Sequence, residues 1–271
     1  MRKTGFFSKF YAGLILFFLY APLLVMVLFS FNSSNSIAQF RGFSLYWYQE
    51  IADNPAARAA LANTLILALL AAVISVILGT AAALGIDRTR RKWAQALLLN
   101  ITNVPLMNPE IVTGISMMLL FVFGARLLRI ADPLGFGSLL VAHVTFCLPY
   151  VILSVLPKLR QTDPHLAEAA QDLGATPLRA FFMVVLPAIS TGVFSAFLMA
   201  FTISLDDFVV SNFTNGPGFQ TLPLYIYSMT KKRVKPDMYA LSSLVFLAIF
   251  VLLLISNAVQ AHNEKRQKKK V

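Results

Sequence analysis

Long apolar runs are the feature that most restricts the fold of this chain. Several stretches of about 20 residues carry almost no charge, and that is the helix length needed to cross the hydrocarbon core of a membrane. Of the 271 residues, 58% are hydrophobic and 13% are charged, about half the charged share of ordinary soluble domains. Because backbone groups inside a bilayer must be bonded within their own segment, the sequence predicts an all-α, polytopic membrane protein.

Six transmembrane helices are expected, within a single transmembrane domain at residues 1–271. The third span is irregular, because Pro105 and Pro109 interrupt the hydrogen-bond ladder of a helix. Broken backbone at membrane depth survives where it is buried in protein or lines a cavity. The expected spans are 10–31, 61–86, 93–125 (broken near 105–109), 137–156, 187–207 and 239–261.

Small residues recur every four positions in two of these spans, and such stripes allow helices to approach closely. We therefore expect two tight helix contacts. The stripe residues are Ala71, Ser75, Gly79 and Ala83 in the second span, and Ala188, Gly192, Ala196, Ala200 and Ser204 in the fifth.

Positive charge is unevenly distributed along the chain, whose net charge is +11. The N-terminus, the 87–92 loop, the loop after span four and the C-terminal tail hold 15 of the 23 Lys and Arg, and the opposite side holds 8. This bias predicts that both termini and the loop after span four lie in the cytoplasm. The charge is thus explained by membrane orientation, and no nucleic acid partner is expected. The first apolar run is interpreted as an uncleaved span.

Residues 162–186 form the most strongly specified polar stretch. Asp163 is a helix N-cap with Pro164 at the first helical position, and Gly174 suits a left-handed position just beyond the helix end. Thr176 and Pro177 then repeat the start signal. The pattern predicts a helix over 164–173, a sharp turn and a second helix.

This stretch resembles the EAA loop of ABC-transporter permease subunits. The resemblance lies in Glu168-Ala169-Ala170, in Gly174, and in the block at 184–187, Val-x-Leu-Pro, nine residues later. It implies that residues 162–186 are the cytoplasmic loop that docks into a separate ATPase. The residues that it assigns to coupling are Glu168, Ala169, Ala170, Asp172 and Gly174. An ordinary helical hairpin between two spans is the alternative.

Four further stretches resemble permease subunits of spermidine/putrescine (polyamine) ABC importers, the C-type subunit most closely. They are residues 29–34, 143–149, 204–211 and 222–229. The resemblance implies a type I ABC importer permease fold, in a multi-pass protein of the bacterial inner (cytoplasmic) membrane. It also implies four kinds of partner: a second permease subunit, an ATPase dimer, a periplasmic polyamine-binding protein and the polyamine itself. Putrescine-only systems share much of the pattern, so the amine stays open.

Enzymatic motifs are missing from the sequence. No Gly is followed by Lys, which excludes a phosphate-binding G-x-x-x-x-G-K-[ST] loop. The three His have no metal-ligand spacing, and the single cysteine, Cys147, is expected to be a packed side chain. His143 is expected to be hydrogen-bonded within the bundle. We therefore expect no enzyme, metal or cofactor in this chain, with ATP and Mg bound by the partner ATPase.

Acids at membrane depth are the candidate substrate-pathway residues: Glu110, Asp206 and Asp207, with Thr202 on the same polar stripe as Asp206. A carboxylate near the bilayer centre costs about 2.5–3.5 kcal/mol, so it is usually functional or paired. We expect Asp206 near the outer mouth, facing the lumen, and Asp207 as a cap or ion pair. Pairing with basic side chains is the alternative. Uncompensated acids favour a cationic substrate.

Three other functions remain open at this stage. The same fold can import a different solute, such as iron or sulfate, although an anion would favour basic groups in the spans. A non-transporting membrane subunit would lack the coupling loop. A secondary transporter would need a self-contained ion path and internal repeats.

Overall fold

The computed structural model describes residues 6–34, 39–231 and 236–268. Within these ranges the backbone is helical apart from loops and an isolated β-bridge between Asn32 and Phe43, which confirms the all-α expectation. The helices are α1 (Phe6–Ser30), α2 (Tyr46–Asp53), α3 (Pro55–Asp87), α4 (Lys92–Met107), α5 (Glu110–Leu128), α6 (Phe136–Gln161), α7 (Leu166–Asp172), α8 (Pro177–Ala180), α9 (Leu186–Asp206), α10 (Val209–Thr214), α11 (Leu222–Thr230) and α12 (Pro236–Lys268), with a π-helical turn at Phe181–Val185 between α8 and α9.

Six helical segments of the described part are long and apolar enough to cross a membrane, the number expected from sequence. They are Lys9–Ser30, Pro55–Asp87, Glu110–Leu128, Phe136–Gln161, Pro177–Asp206 and Pro236–Ile255. Some of the basic residues counted for orientation lie outside the described residues: Arg2, Lys3, Lys232, Arg233, Lys235, Lys269 and Lys270.

Packing divides the chain into two units, Met1–Ala59 with Tyr225–Phe250, and Ala60–Leu224 with Val251–Val271. In the first unit, the loop between α1 and α2 is organised by Trp47, which is only 4% exposed. Its indole N–H donates to the Asn32 carbonyl at 2.8 Å, and the Tyr48 hydroxyl lies 2.7 Å from Ser30 Oγ. Trp47 and Tyr48 therefore hold this loop together, and the neighbouring Tyr46 is exposed.

The core of the second unit surrounds α6. All four residues of the α3 stripe are buried, and Ser75 Oγ donates to the Val144 carbonyl at 3.3 Å. A methyl group added at Gly79 would meet Val151 Cγ1 at 2.5 Å, so only glycine permits this approach. These contacts confirm the close helix approach predicted from the stripe.

The α9 stripe also packs on α6. Gly192, Ala196, Ala200 and Ser204 are buried, and the Cys147 thiol lies 3.5 Å from the Ala200 carbonyl. Cys147 is fully buried and packed, as expected. The stripe prediction fails only at its first member: Ala188 is exposed, and the neighbouring Ile189 is buried instead. Each step of four residues turns about 40° around an α-helix, so Ala188 is rotated about 120° from Ala200 and leaves the packed face.

The polar segment expected outside the membrane after residue 208 contains two helices that the sequence analysis did not predict. One of them, α10, packs closely on α5, and a methyl group added at Gly114 would meet Phe213 Cδ2 at 2.8 Å. Thr64 Oγ1 accepts a hydrogen bond from the Leu222 N–H at the start of α11. Residues 209–224 therefore belong to the packed second unit and are not a free loop.

Candidate functional site

A cavity of about 380 Å³ in the second unit brings together the breaks in two helices. One break separates α4 from α5, and the other separates α9 from α10. Broken helix ends inside a bundle leave backbone and polar side chains facing a common space. The lining residues are Pro105, Leu106, Asn108, Glu110, Thr113, Phe146, Tyr150, Ile203, Asp206, Asp207, Phe208, Val209 and Val210.

The first break lies at Asn108 and Pro109, inside the interval predicted from the prolines. Both residues have extended backbone conformations, with ψ of 139° and 135°. The Pro109 carbonyl accepts from the Val112 and Thr113 N–H groups, which restarts the helix. Glu110 is thus placed in the first turn of α5, where a carboxylate is favoured by the unpaired N–H groups of the helix end.

The second break follows Asp206, and it contains neither proline nor glycine. Asp207 has an extended backbone, and its carboxylate accepts hydrogen bonds from the Val210 N–H at 3.3 Å and the Ser211 N–H at 2.7 Å. Asp207 therefore caps α10, which agrees with the capping role considered for it. At the far end of α10, the Thr214 carbonyl accepts from Ser138 Oγ near the start of α6.

Asp206 lies beside the middle of α6 and not level with its end. The same cavity is lined by Phe146 and Tyr150, which are about 15 and 21 Å along α6 from Phe136 at 1.5 Å per residue. That Asp206 lies near an outer mouth stays a prediction. The helical segment that ends at Asp206 begins at Pro177, ten residues before the expected start of this span at residue 187.

The cavity wall is acidic and aromatic. It brings together Glu110, Asp206 and Asp207, with the rings of Phe146, Tyr150 and Phe208. None of the described residues that line it is Lys or Arg. Thr202, also predicted for the pathway, is not among the lining residues, and its hydroxyl donates to the Leu198 carbonyl of its own helix.

His143 lies at the centre of the second unit and is fully buried. Its Nδ1 lies 2.7 Å from Ser204 Oγ, and its Nε2 lies 3.0 Å from Ser211 Oγ and 3.5 Å from Asp207 Oδ2. The imidazole therefore joins α6, α9 and α10, which confirms that it is hydrogen-bonded within the bundle. No local signal predicts that His143 lies next to a cavity acid, because its hydrogen-bond partners are 61 and 68 positions away along the chain.

A second candidate region is the hairpin formed by α7 and α8. The Gly174 N–H donates to the Gln171 carbonyl and the Ala175 N–H to the Ala170 carbonyl, and Gly174 has φ +90°. This pair of bonds is the Schellman motif, which ends helices at a glycine. Thr176 then caps α8 through its hydroxyl, which accepts from the Arg179 N–H.

The start of α7 differs from the expected boundary. Asp163 accepts from the His165 N–H at 2.9 Å, and a single turn precedes the helix, which begins at Leu166 and not at Pro164. The residues assigned to coupling share the exposed side of this hairpin. Glu168, Ala169, Asp172 and Gly174 are exposed, and Ala170 is half-buried.

The hairpin also carries apolar side chains that nothing in the described chain covers. Leu173 is 91% exposed and Leu178 is 73% exposed. Beside the hairpin, Arg160 Nε at the end of α6 lies 3.7 Å from Asp87 Oδ1 at the end of α3. A cleft of about 590 Å³ lies between these helix ends and α7. Of the hairpin, Ala167 packs against the core of the unit, whereas Leu173 and Leu178 face outward.

The model of the family described as "Binding-protein-dependent transport system inner membrane component" matches residues 75–269. The chain belongs to this family. Two relatives come from Escherichia coli (strain K12). The putrescine transport system permease protein PotI is 39% identical over 92% of this chain and 89% of its own length. The spermidine/putrescine transport system permease protein PotC is 34% identical over 98% and 96%. The chain is thus a multi-pass permease of the inner membrane.

Solved structures share the fold of this permease. A bacterial ABC transporter involved in the import of the acidic polysaccharide alginate aligns with a TM-score of 0.70 at 16% identity, covering 94% of each chain. The alginate transporter in complex with a pentasaccharide-bound periplasmic protein gives 0.68 at 18% identity, with 97% and 94% covered. These matches confirm the ABC importer permease fold, and at such low identity they carry no argument about the substrate.

Proposed function

We propose that this permease moves polyamines, spermidine or putrescine or both, across the inner membrane as one subunit of an ATP-driven importer. The observation that carries the proposal is the cavity in which Glu110, Asp206 and Asp207 meet three aromatic rings. Its volume of about 380 Å³ falls within the roughly 300–1,000 Å³ of small-molecule sites.

The chemistry of the wall suits a flexible chain of ammonium groups. Carboxylates replace the hydration that an ammonium loses when it enters the protein, and aromatic faces attract cations through the ring quadrupole. The methylene segments between the charges need apolar contacts, and Leu106 and Ile203 offer them. An anionic substrate would face uncompensated like charges here.

The relatives support the same substrate class. Their names describe a putrescine permease and spermidine/putrescine permeases, and they align with nearly the whole chain. We therefore assign the cavity to a polyamine and leave the balance between the two amines to measurement.

ATP hydrolysis is assigned to a separate ATPase dimer that binds ATP and Mg. The α7–α8 hairpin is the docking element, because it combines exposed acids at Glu168 and Asp172 with the exposed side chains of Leu173 and Leu178. Apolar anchors within a charged rim are the usual composition of a protein interface. We therefore assign the hairpin and both termini to the cytoplasm. A second permease subunit and a periplasmic polyamine-binding protein complete the importer.

The test is uptake by the complete complex. The chain is co-expressed with its ATPase, second permease and binding protein, reconstituted in proteoliposomes, and given labelled spermidine and putrescine with ATP. We expect ATP-dependent uptake of at least one amine, with loss of uptake in the Glu110→Gln/Asp206→Asn double variant. Thr102→Val is the matched control, since Thr102 bonds to the Leu98 carbonyl of its own helix and does not line the cavity.

Each other outcome contradicts a distinct part of the proposal. A stable complex with active ATPase and no amine uptake would assign the permease to another solute, such as iron or sulfate. Purification without any ATPase would favour a non-transporting membrane subunit. Uptake driven by an ion gradient without ATP would indicate a secondary transporter.

A further inference from the structure

The three acids of the cavity differ in how firmly they are held. In the described part of the chain, neither Glu110 nor Asp206 is held by a hydrogen bond or ion pair to a neighbouring side chain. Asp207 is held by four groups on two sides. It accepts from the Val210 and Ser211 N–H groups, its Oδ2 accepts from Ser211 Oγ at 2.8 Å, and His143 Nε2 lies 3.5 Å away.

The directions of these hydrogen bonds determine the state of the imidazole. Because Ser211 Oγ gives its proton to the Asp207 carboxylate, it must accept at the contact with His143. His143 Nε2 therefore carries the hydrogen. Nδ1 of the neutral ring is then an acceptor, and Ser204 Oγ donates to it at 2.7 Å. The donors run in one direction, from Ser204 through His143 and Ser211 to Asp207.

Such a chain of donors stabilises the ionised form of the acid at its end. Each donor in the chain polarises the next, and the low local dielectric strengthens every step. The residues come from α6, α9 and α10, so the same contacts fix the backbone at the break after Asp206. Without the imidazole, Ser211 Oγ would be free to rotate away from the carboxylate.

We propose that His143 is a positioning residue for substrate selection, acting through Ser211 to hold Asp207 as an oriented carboxylate anion in the cavity wall. Asp207 supplies fixed negative charge, while Glu110 and Asp206 are free to turn toward the ammonium groups of the substrate. This inference rests on the proposed polyamine function. It adds a buried residue that does not line the cavity to the determinants of substrate affinity.

The first experiment compares an apolar and a polar replacement at position 143. His143→Leu removes both hydrogen bonds, whereas His143→Gln retains one donor and one acceptor. Loss of a hydrogen bond to a charged group weakens an interaction by about tenfold in equilibrium terms. We expect His143→Leu to raise the KM for spermidine uptake by about tenfold with little change in maximal rate, and His143→Gln to restore most of the affinity.

A second pair of variants, at Ser211, tests the same chain of hydrogen bonds. Ser211→Ala should raise the KM as His143→Leu does, and Ser211→Thr, which keeps the hydroxyl, should not. In an Asp207→Asn background, His143→Leu should add little further change, because a residue that acts through Asp207 has no effect once the charge is gone. The control is Thr145→Val on α6, whose hydroxyl bonds only to the Val141 carbonyl of its own helix.

The proposal is overturned if His143→Leu and His143→Gln give the same KM, or if both variants reduce only the maximal rate or the yield of complex. A readout without substrate separates this result from a failure of the polyamine function. In the ¹⁵N NMR spectrum of the histidine-labelled complex, we expect the neutral Nε2–H tautomer for His143. An Nδ1–H tautomer would contradict the proposed chain of hydrogen bonds, whichever solute is transported.

Discussion

The α7–α8 hairpin and the acidic cavity are held together by different kinds of contact. In the hairpin, the bonds that shape the chain join near neighbours, such as Gly174 with Gln171 and Thr176 with Arg179. Next to the cavity wall, His143 bonds to residues 61 and 68 positions away. An element held by local contacts can accept substitutions on its exposed surface without disturbing the core. A cavity built from distant segments shares its residues with the packing of the bundle.

This difference predicts that mutations can impair the transmission of ATP-driven motion and substrate binding independently of each other. Changes in the hairpin should alter the transmission of ATP-driven motion and leave substrate binding intact. Changes at the cavity acids should alter substrate binding and leave assembly with the ATPase intact.

The largest effect is expected from removing the two loosely held acids. Truncating one partner of a desolvated charge pair costs about 2–5 kcal/mol, so Glu110→Gln with Asp206→Asn should raise the KM for polyamine uptake by about a hundredfold or more. ATPase co-purification and basal ATP hydrolysis should stay near wild type. The measurement is uptake kinetics in proteoliposomes beside Thr102→Val. A wild-type KM in the double variant would remove these acids from the pathway.

A smaller effect is expected at the turn of the hairpin. Gly174 has φ +90°, and a β-branched residue in a left-handed conformation is strained by about 1–2 kcal/mol or more. Gly174→Val should therefore misdirect α7 and lower uptake by about tenfold, while amine binding to the detergent-solubilised complex is unchanged. Gly174→Asn is the matched control, because asparagine tolerates this conformation. Equal loss in both variants would show that the backbone conformation is not the cause.

The same contrast explains what could be predicted from the sequence. Local signals worked: Gly174 ends a helix, Thr176 starts one, and Pro105 and Pro109 bracket a break. Periodic signals also worked, since the small residues of α3 and α9 are the faces packed on α6. Each of these depends on a few neighbouring residues or on a simple repeat.

The features that were missed depend on distant contacts. The span was expected to end at residue 207, and α9 does end at Asp206, but the helix α10 that follows was not predicted. No proline or glycine marks its start, and it forms because Asp207 caps it while it packs on α5.

Two glycines of α3 test how far the nonlocal packing determines stability. A methyl group at Gly79 would lie 2.5 Å from Val151 Cγ1, whereas one at Gly85 would meet nothing within 4 Å. Overpacking costs about 1–3 kcal/mol, so Gly79→Ala should lower the Tm of the purified complex by several degrees. Gly85→Ala should leave it unchanged or raise it slightly, because alanine favours a helix. Equal shifts would contradict close α3–α6 packing.

The smallest effect concerns His165 at the start of α7. Its hydrogen bond to Glu168 at 3.1 Å and the nearby Asp163 carboxylate raise the pKa of His165 above its ordinary value. The protonated ring is thus favoured in the folded hairpin. Its contribution to hairpin stability is fully present below the ordinary pKa of about 6.5, and it is lost as the pH rises through the raised value. Glu168→Gln should move the titration of His165 to lower pH, measured by ¹⁵N NMR.

The salt dependence of the His165 pKa tests whether its interaction with Glu168 is a contact between exposed neighbours. Both side chains are largely exposed, 78% and 74%, so their interaction should be screened when the ionic strength rises to about 1 M, where the Debye length is about 3 Å. The pKa of His165 should fall toward its ordinary value, and the Glu168→Gln variant should respond less. A salt-independent pKa would mean that a buried contact, and not an exposed neighbour, controls the ring, and the hairpin would then share the tertiary character of the cavity.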